Sequence, residues 1–68
     1  MTGTLIHHID RPDIMFHDGV CYGGLHCGEC FEVYLNRWVQ VRLEHWDDWI
    51  FILEGKAYPI IYGIPVRK

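Results

Sequence analysis

Val39, Val41 and Leu43 alternate with Gln40, Arg42 and Glu44. A period of two puts each set on one side of an extended chain. This stretch therefore predicts a strand with one buried and one wet face. Phe31, Val33 and Leu35 alternate with Glu32 and Tyr34 in the same way, and Asn36-Arg37 between the two runs predicts a tight turn. No window keeps apolar residues at i, i+3, i+4 and i+7 over the roughly ten residues that a helix needs. Val, Ile, Phe, Tyr and Trp recur in short runs broken by Gly, Asp and Asn, which is strand chemistry throughout.

The other runs fit the same plan. Residues 3–8 form a first strand, and Asp10-Arg11-Pro12-Asp13 reads as a turn. Asp18-Gly19 lies between Ile14-Met15-Phe16 and Val20-Cys21-Tyr22, a hairpin signal because glycine accepts the positive φ of such turns. Trp46-Asp47-Asp48 turns into Trp49-Ile50-Phe51-Ile52-Leu53, which is apolar on both faces. Both faces must be covered, either within the chain or by a partner. Pro59 lacks a donor, so Tyr58-Pro59-Ile60-Ile61 is expected to be a short 3₁₀ turn and not a central strand. Residues 62–66 close the chain as a terminal edge strand. Five to six short strands in a chain of 68 residues point to one small barrel spanning residues 1–68, closed so that no edge is left open.

A chain this short buries only about 60% of the surface it exposes when unfolded. That excludes a two-domain enzyme and any large active-site cavity. The net charge of −3 speaks against a nucleic-acid partner, which calls for a basic stripe. The N-terminal residues have no basic region followed by an apolar stretch, and the apolar run at residues 49–53 is far short of a membrane span. With three cysteines and no secretory pattern, the expectation is a cytoplasmic protein with reduced thiols and no membrane contact.

Cys21, His26, Cys27 and Cys30 offer four soft ligands close together, and Cys27-x-x-Cys30 is the sharpest local motif. Zinc needs four ligands converging in a tetrahedron, and a second ligand-bearing turn usually supplies two of them. No second Cys-x-x-Cys exists, and His7, His8 or His17 would have to complete the set. The expectation is therefore a tight turn whose thiols act as small apolar groups, with no cofactor. A zinc-stapled accessory domain is the alternative. His26 sits beside Cys27, but neighbouring strand residues point to opposite faces, so a Cys-His nucleophile is not supported. Tyr22-Gly23-Gly24 offers backbone N–H groups to an anion, against the simpler reading of a bend at a barrel corner.

The aromatic count is more telling. A small barrel holds about ten inward side chains. Ile, Val, Leu and Phe already supply these, so some of Tyr22, Tyr34, Trp38, Trp46, Trp49, Tyr58 and Tyr62 must lie outside. Exposed Trp and Tyr mark binding surfaces or a dimer interface. Trp46-Asp47-Asp48-Trp49 pairs two indoles with two carboxylates, which suits a cationic or arginine-bearing partner.

At Leu25-His26-Cys27-Gly28-Glu29-Cys30-Phe31-Glu32-Val33 the chain resembles the opening of SH3-like barrels, where a Leu, a Gly-acid pair and an alternating strand form a diverging turn. Trp38-Val39, Trp49 and a final Gly-x-Pro-Val strand fit that plan. The longer string from Tyr22-Gly23-Gly24 through Val33 is similar to a family of short bacterial and phage proteins classed as a domain of unknown function. The resemblance brings no activity. It implies a phage or mobile-element setting, in which small free-standing proteins counter host defence.

The leading expectation is a non-catalytic binding module that counters a host defence protein by occupancy, with Trp46, Trp49, Trp38 and Tyr34 in contact and Asp47 and Asp48 favouring basic groups. The alternative is a sponge for a nucleotide signal, held between subunits by stacked rings and the Gly23-Gly24 amides. The doubly apolar strand at residues 49–53 predicts a homo-oligomer. A tail at residues 58–61 folded over that strand is the single-chain alternative.

Overall fold

A computed structural model describes residues 1–68. Seven antiparallel strands form one sheet: β1 (Thr2–His8), β2 (Arg11–Phe16), β3 (Cys30–Tyr34), β4 (Trp38–His45), β5 (Trp49–Leu53), β6 (Lys56–Pro59) and β7 (Pro65–Arg67). Their order across the sheet is β2-β1-β7-β3-β4-β5-β6. No helix is long and apolar enough to cross a membrane.

The expected alternation sets the core. Phe31 faces Val41, and Val33 faces Val39 on one side and Val66 on the other. Leu43 faces Phe51, and Leu5 faces Ile14. Phe31, Val33, Val41, Leu43 and Phe51 are all buried, together with Leu5, Ile14, Leu25 and Val66. Leu35, the last apolar residue of its run, is outside β3 and exposed. The turn after it is tight as expected, with Asn36 at φ 65.

The all-β class stands, but the sheet is open and not a closed barrel. Two features prevent closure. The outer side of β2 is taken up by its own hairpin arm: Phe16 N donates to Val20 O at 3.0 Å and Tyr22 N to Ile14 O at 2.8 Å. On the far edge, β6 contains Pro59, which cannot donate to another strand. Residues 22–29 bridge part of the gap as a loop. Leu25 N donates to Pro12 O at 2.9 Å, and Gly28 N donates to Leu43 O at 2.7 Å. Leu25 is fully buried and plugs the core from this loop.

Three local expectations are corrected. The residues expected as an Asp10–Asp13 turn are mostly strand: the turn is Ile9-Asp10, with Ile9 at φ 62, and Pro12 sits in edge strand β2 opposite His7. The segment with Pro59 is an edge strand and contains no 3₁₀ turn, because an outermost strand tolerates a missing donor. The last strand, β7, is internal between β1 and β3. Gly63 N donates to Leu5 O at 2.7 Å and Leu5 N to Ile64 O at 3.0 Å, which draws the tail into the sheet as an extended partner of β1.

Candidate functional site

The aromatic residues expected to share one surface are split by the fold. Trp46 is 64% exposed on the β4–β5 turn beside Asp47 and Asp48. Tyr34 and Trp38 lie at the other end of β4, a strand of eight residues and so about 25 Å long. There the two rings meet edge to face at 5.4 Å, and the Arg67 guanidinium covers Trp38 at 4.4 Å. Glu32 holds that guanidinium through contacts of 2.8 and 3.3 Å. This ion pair holds the Glu32 carboxyl below its usual range and pushes Arg67 up. Trp49 is half-buried against the core. Its Nε1 donates to Asp10 O at 3.2 Å, and His45 packs on it at 4.8 Å. Trp49 is thus partly a structural ring, and the four aromatics do not make one patch.

The Gly23 amide is already committed. It donates to the buried Asp13 carboxylate at 3.0 Å, which also accepts Ile14 N at 2.8 Å. The Gly23 amide is therefore engaged within the chain, and an incoming anion would have to displace that carboxylate to reach it. Both glycines have positive φ, as a bend requires.

The Cys-Gly-Glu-Cys segment is a turn, as expected. Glu29 N donates to His26 O at 3.1 Å, and Gly28 takes φ 87 at the third turn position. Glu29 is its anchor. Its carboxylate accepts Tyr22 OH at 2.7 Å, His26 N at 2.9 Å and His26 Nδ1 at 3.1 Å, with Lys68 Nζ at 3.4 Å. Burial pushes the Glu29 carboxyl up, but these hydrogen bonds together outweigh it and hold the group below its usual range. The same Tyr22–Glu29 bond pushes the Tyr22 phenol up. His26 is thus bound to Glu29 and not directed at Cys27. Cys27 and Cys30 are exposed and Cys21 is half-buried, and the side chains gather no group of three or more metal-ligating residues.

A polar groove of about 310 Å³ lies at His8, Arg11, Asp13, Cys21, Gly23 and Gly24, and the apolar grooves lie on either side of β6. One groove of about 330 Å³ is walled by Trp49, Ile50, Tyr58, Pro59, Ile60 and Tyr62, with Ala57 and Asp48 completing it. A second of about 200 Å³ has the buried Val41 and Phe51 in its lining and Leu35, Tyr58 and Ile61 at its rim. Tyr58 and Pro59 wall both. Ile50 and Ile52, the second apolar face of β5, are half-buried. Residues 58–61 do not fold over that face: β6 continues beside β5, and Ile60 turns in to pack against the core. Tyr58 and Pro59 escape a reading for binding residues because proline chemistry suggests only a turn. The available signal was an apolar segment next to a strand that is apolar on both faces.

A crystal structure of a protein from Ruminococcus gnavus, determined in a structural genomics programme, is similar to this chain at 41% identity. The likeness covers 100% of both chains with a TM-score of 0.83. No curated protein matches the sequence. The family model for a domain of unknown function, DUF5348, matches residues 3–68, and the chain belongs to that family.

Proposed function

We propose that this chain is a non-catalytic binding module that acts by occupying a partner protein through the surface flanking β6. The observation that carries this reading is the sharing of Tyr58 and Pro59 between two apolar grooves. A partner segment seated there would cover Tyr58 from both sides. Aromatic anchors between well-shaped apolar pockets are where binding energy concentrates. The partner class that accords with the family resemblance is a host defence protein met by a phage or mobile element, blocked by a small acidic chain.

A random heptapeptide display library panned on the wild-type protein tests the reading. Retained peptides are titrated by tryptophan fluorescence against wild type, Tyr58→Ala and Tyr34→Ala. Loss of an anchoring tyrosine costs about 2 kcal/mol or more, some thirtyfold in affinity. The expected result is that loss for Tyr58→Ala and little change for Tyr34→Ala, which lies on the Trp38 side of the sheet. Equal affinities for all three proteins would refute the site.

A further inference from the structure

Within this binding-module reading, on which the inference rests, we infer that the groove at Trp49, Tyr58 and Tyr62 selects an arginine-bearing extended segment of the partner, with Asp48 receiving the guanidinium. The argument is one of charge and shape. Asp48 is the single charged residue of the groove lining. It takes part in no ion pair within the chain. One carboxylate oxygen accepts Trp49 N at 2.8 Å, and the other has no side-chain or backbone donor. Burial and then the charge of Asp48 push the Tyr62 phenol up, so the field of Asp48 reaches across the groove to that ring.

The remaining walls are aromatic and apolar, which disfavours a strongly hydrated ammonium. A guanidinium is planar, more weakly hydrated, stacks on rings and donates in a fork that matches a carboxylate. The chain uses this mode internally. Arg67 lies on Trp38 at 4.4 Å while Glu32 grips it at 2.8 Å. Arg11, paired with Asp10 at 3.3 Å, approaches the ring of Trp49 at 5.9 Å. In both places an aromatic ring and a carboxylate together hold an arginine. The groove of Asp48 brings the rings of Tyr58 and Tyr62 together with a carboxylate, and none of these three holds an arginine of the chain. Its volume, about 330 Å³, is at the small end of ligand clefts and suits a few side chains of an extended segment. The net charge of −3 favours encounter with a basic partner.

The test pans the same heptapeptide library in parallel on wild type and Asp48→Asn. Asparagine keeps the oxygen that accepts Trp49 N–H and removes only the charge. The expected result is arginine enriched at one position on wild type and not on Asp48→Asn. Wild-type-selected peptides should bind the variant about tenfold or more weakly, as loss of a charge-assisted hydrogen bond implies. Binding should also weaken as salt rises. Replacing the selected arginine by citrulline, which keeps the shape without the charge, should weaken binding to wild type equally. This arm decides the question even if Asp48→Asn does not fold. Peptides that depend on Tyr58 but carry no arginine, or that bind equally well after the citrulline exchange, would overturn the guanidinium assignment and leave the module standing. If wild type retains no peptide, or only peptides indifferent to Tyr58→Ala, both readings fall.

Discussion

Substitution of Gly3 by alanine isolates a close approach between strands. Gly3 lies in β1, opposite Phe16 of β2 and Val66 of β7. A Cβ there would stand 2.9 Å from Ile14 Cγ2 and from the Met15 carbonyl carbon, and nearer still to the Met15 carbonyl oxygen. Ordinary contact begins at 3.4 Å, so the strands must part by at least the 0.5 Å difference. The obstacle is largely backbone, and no side-chain rotation relieves it. Because β1 is held between β2 and β7, moving away from β2 presses on the other neighbour. Overpacking of this kind costs about 1–3 kcal/mol, and a backbone obstacle belongs at the upper end. Alanine offsets about 0.4–1 kcal/mol of it by restricting the unfolded chain. The net loss is about 2 kcal/mol. At about 4–8 °C per kcal/mol in a domain this small, Tm should fall by about 8–16 °C. Thermal unfolding followed by circular dichroism reads this directly, with Thr4→Ala, an exposed neighbour, as a control expected within about 0.5 kcal/mol. An unchanged or raised Tm for Gly3→Ala would refute the close packing of β1 on β2.

Val33→Asp places a charge between Val39 and Val66 at a fully buried position. An unpaired buried charge costs about 3–5 kcal/mol, as much as a core this small supplies, so the variant should be unfolded; a cooperative urea transition would contradict the register. Glu29 is depressed below its ordinary value of 4.5, so its contribution is fully present above that pH and is lost as pH falls through its folded value. Urea titrations from pH 6 down to pH 2 should show a shallower loss of stability for Glu29→Gln than for wild type. Some slope should remain, because Glu32 is depressed by Arg67 in the same range. Identical slopes would show that the Tyr22–His26–Lys68 network contributes nothing.

Alternation made β3 and β4 readable, because a half-buried strand writes its register in every second residue, whereas β5 stood out as an unbroken apolar run. The turns at Asp18-Gly19 and Asn36 were readable because only a few residue types accept positive φ. Closure was not readable. Nothing in the pattern of residues 64–67 tells whether that strand lies at an edge or between β1 and β3. The answer is set by contacts more than fifty residues apart, such as Val66 with Gly3. Proline was ambiguous in a similar way: at Pro12 and Pro59 it excludes a central strand but does not choose between a turn and an edge. For the candidate site, Asp48 and Trp49 stood out by their chemistry. Tyr58, which the fold brings opposite Phe51, did not, because its own segment reads as a turn around Pro59 and not as a strand beside β5.

The outer side of β6 bears on how this protein behaves toward copies of itself. Leu53 and Lys56 close the two-residue Glu54-Gly55 turn, so their backbone groups face each other in a narrow pair. Tyr58 is in phase with Lys56 and also points inward, while Ala57 and Pro59 point away from the sheet. Pro59 has no N–H, so the free margin of β6 offers the single donor of Ala57. The opposite margin is occupied by the arm at residues 20–22. Fibril growth requires a margin that can template an incoming strand over several successive amides. Neither margin of this sheet meets that requirement. Self-association by strand addition is therefore disfavoured at both margins, and a concentrated solution is protected from stacking its sheets end on end.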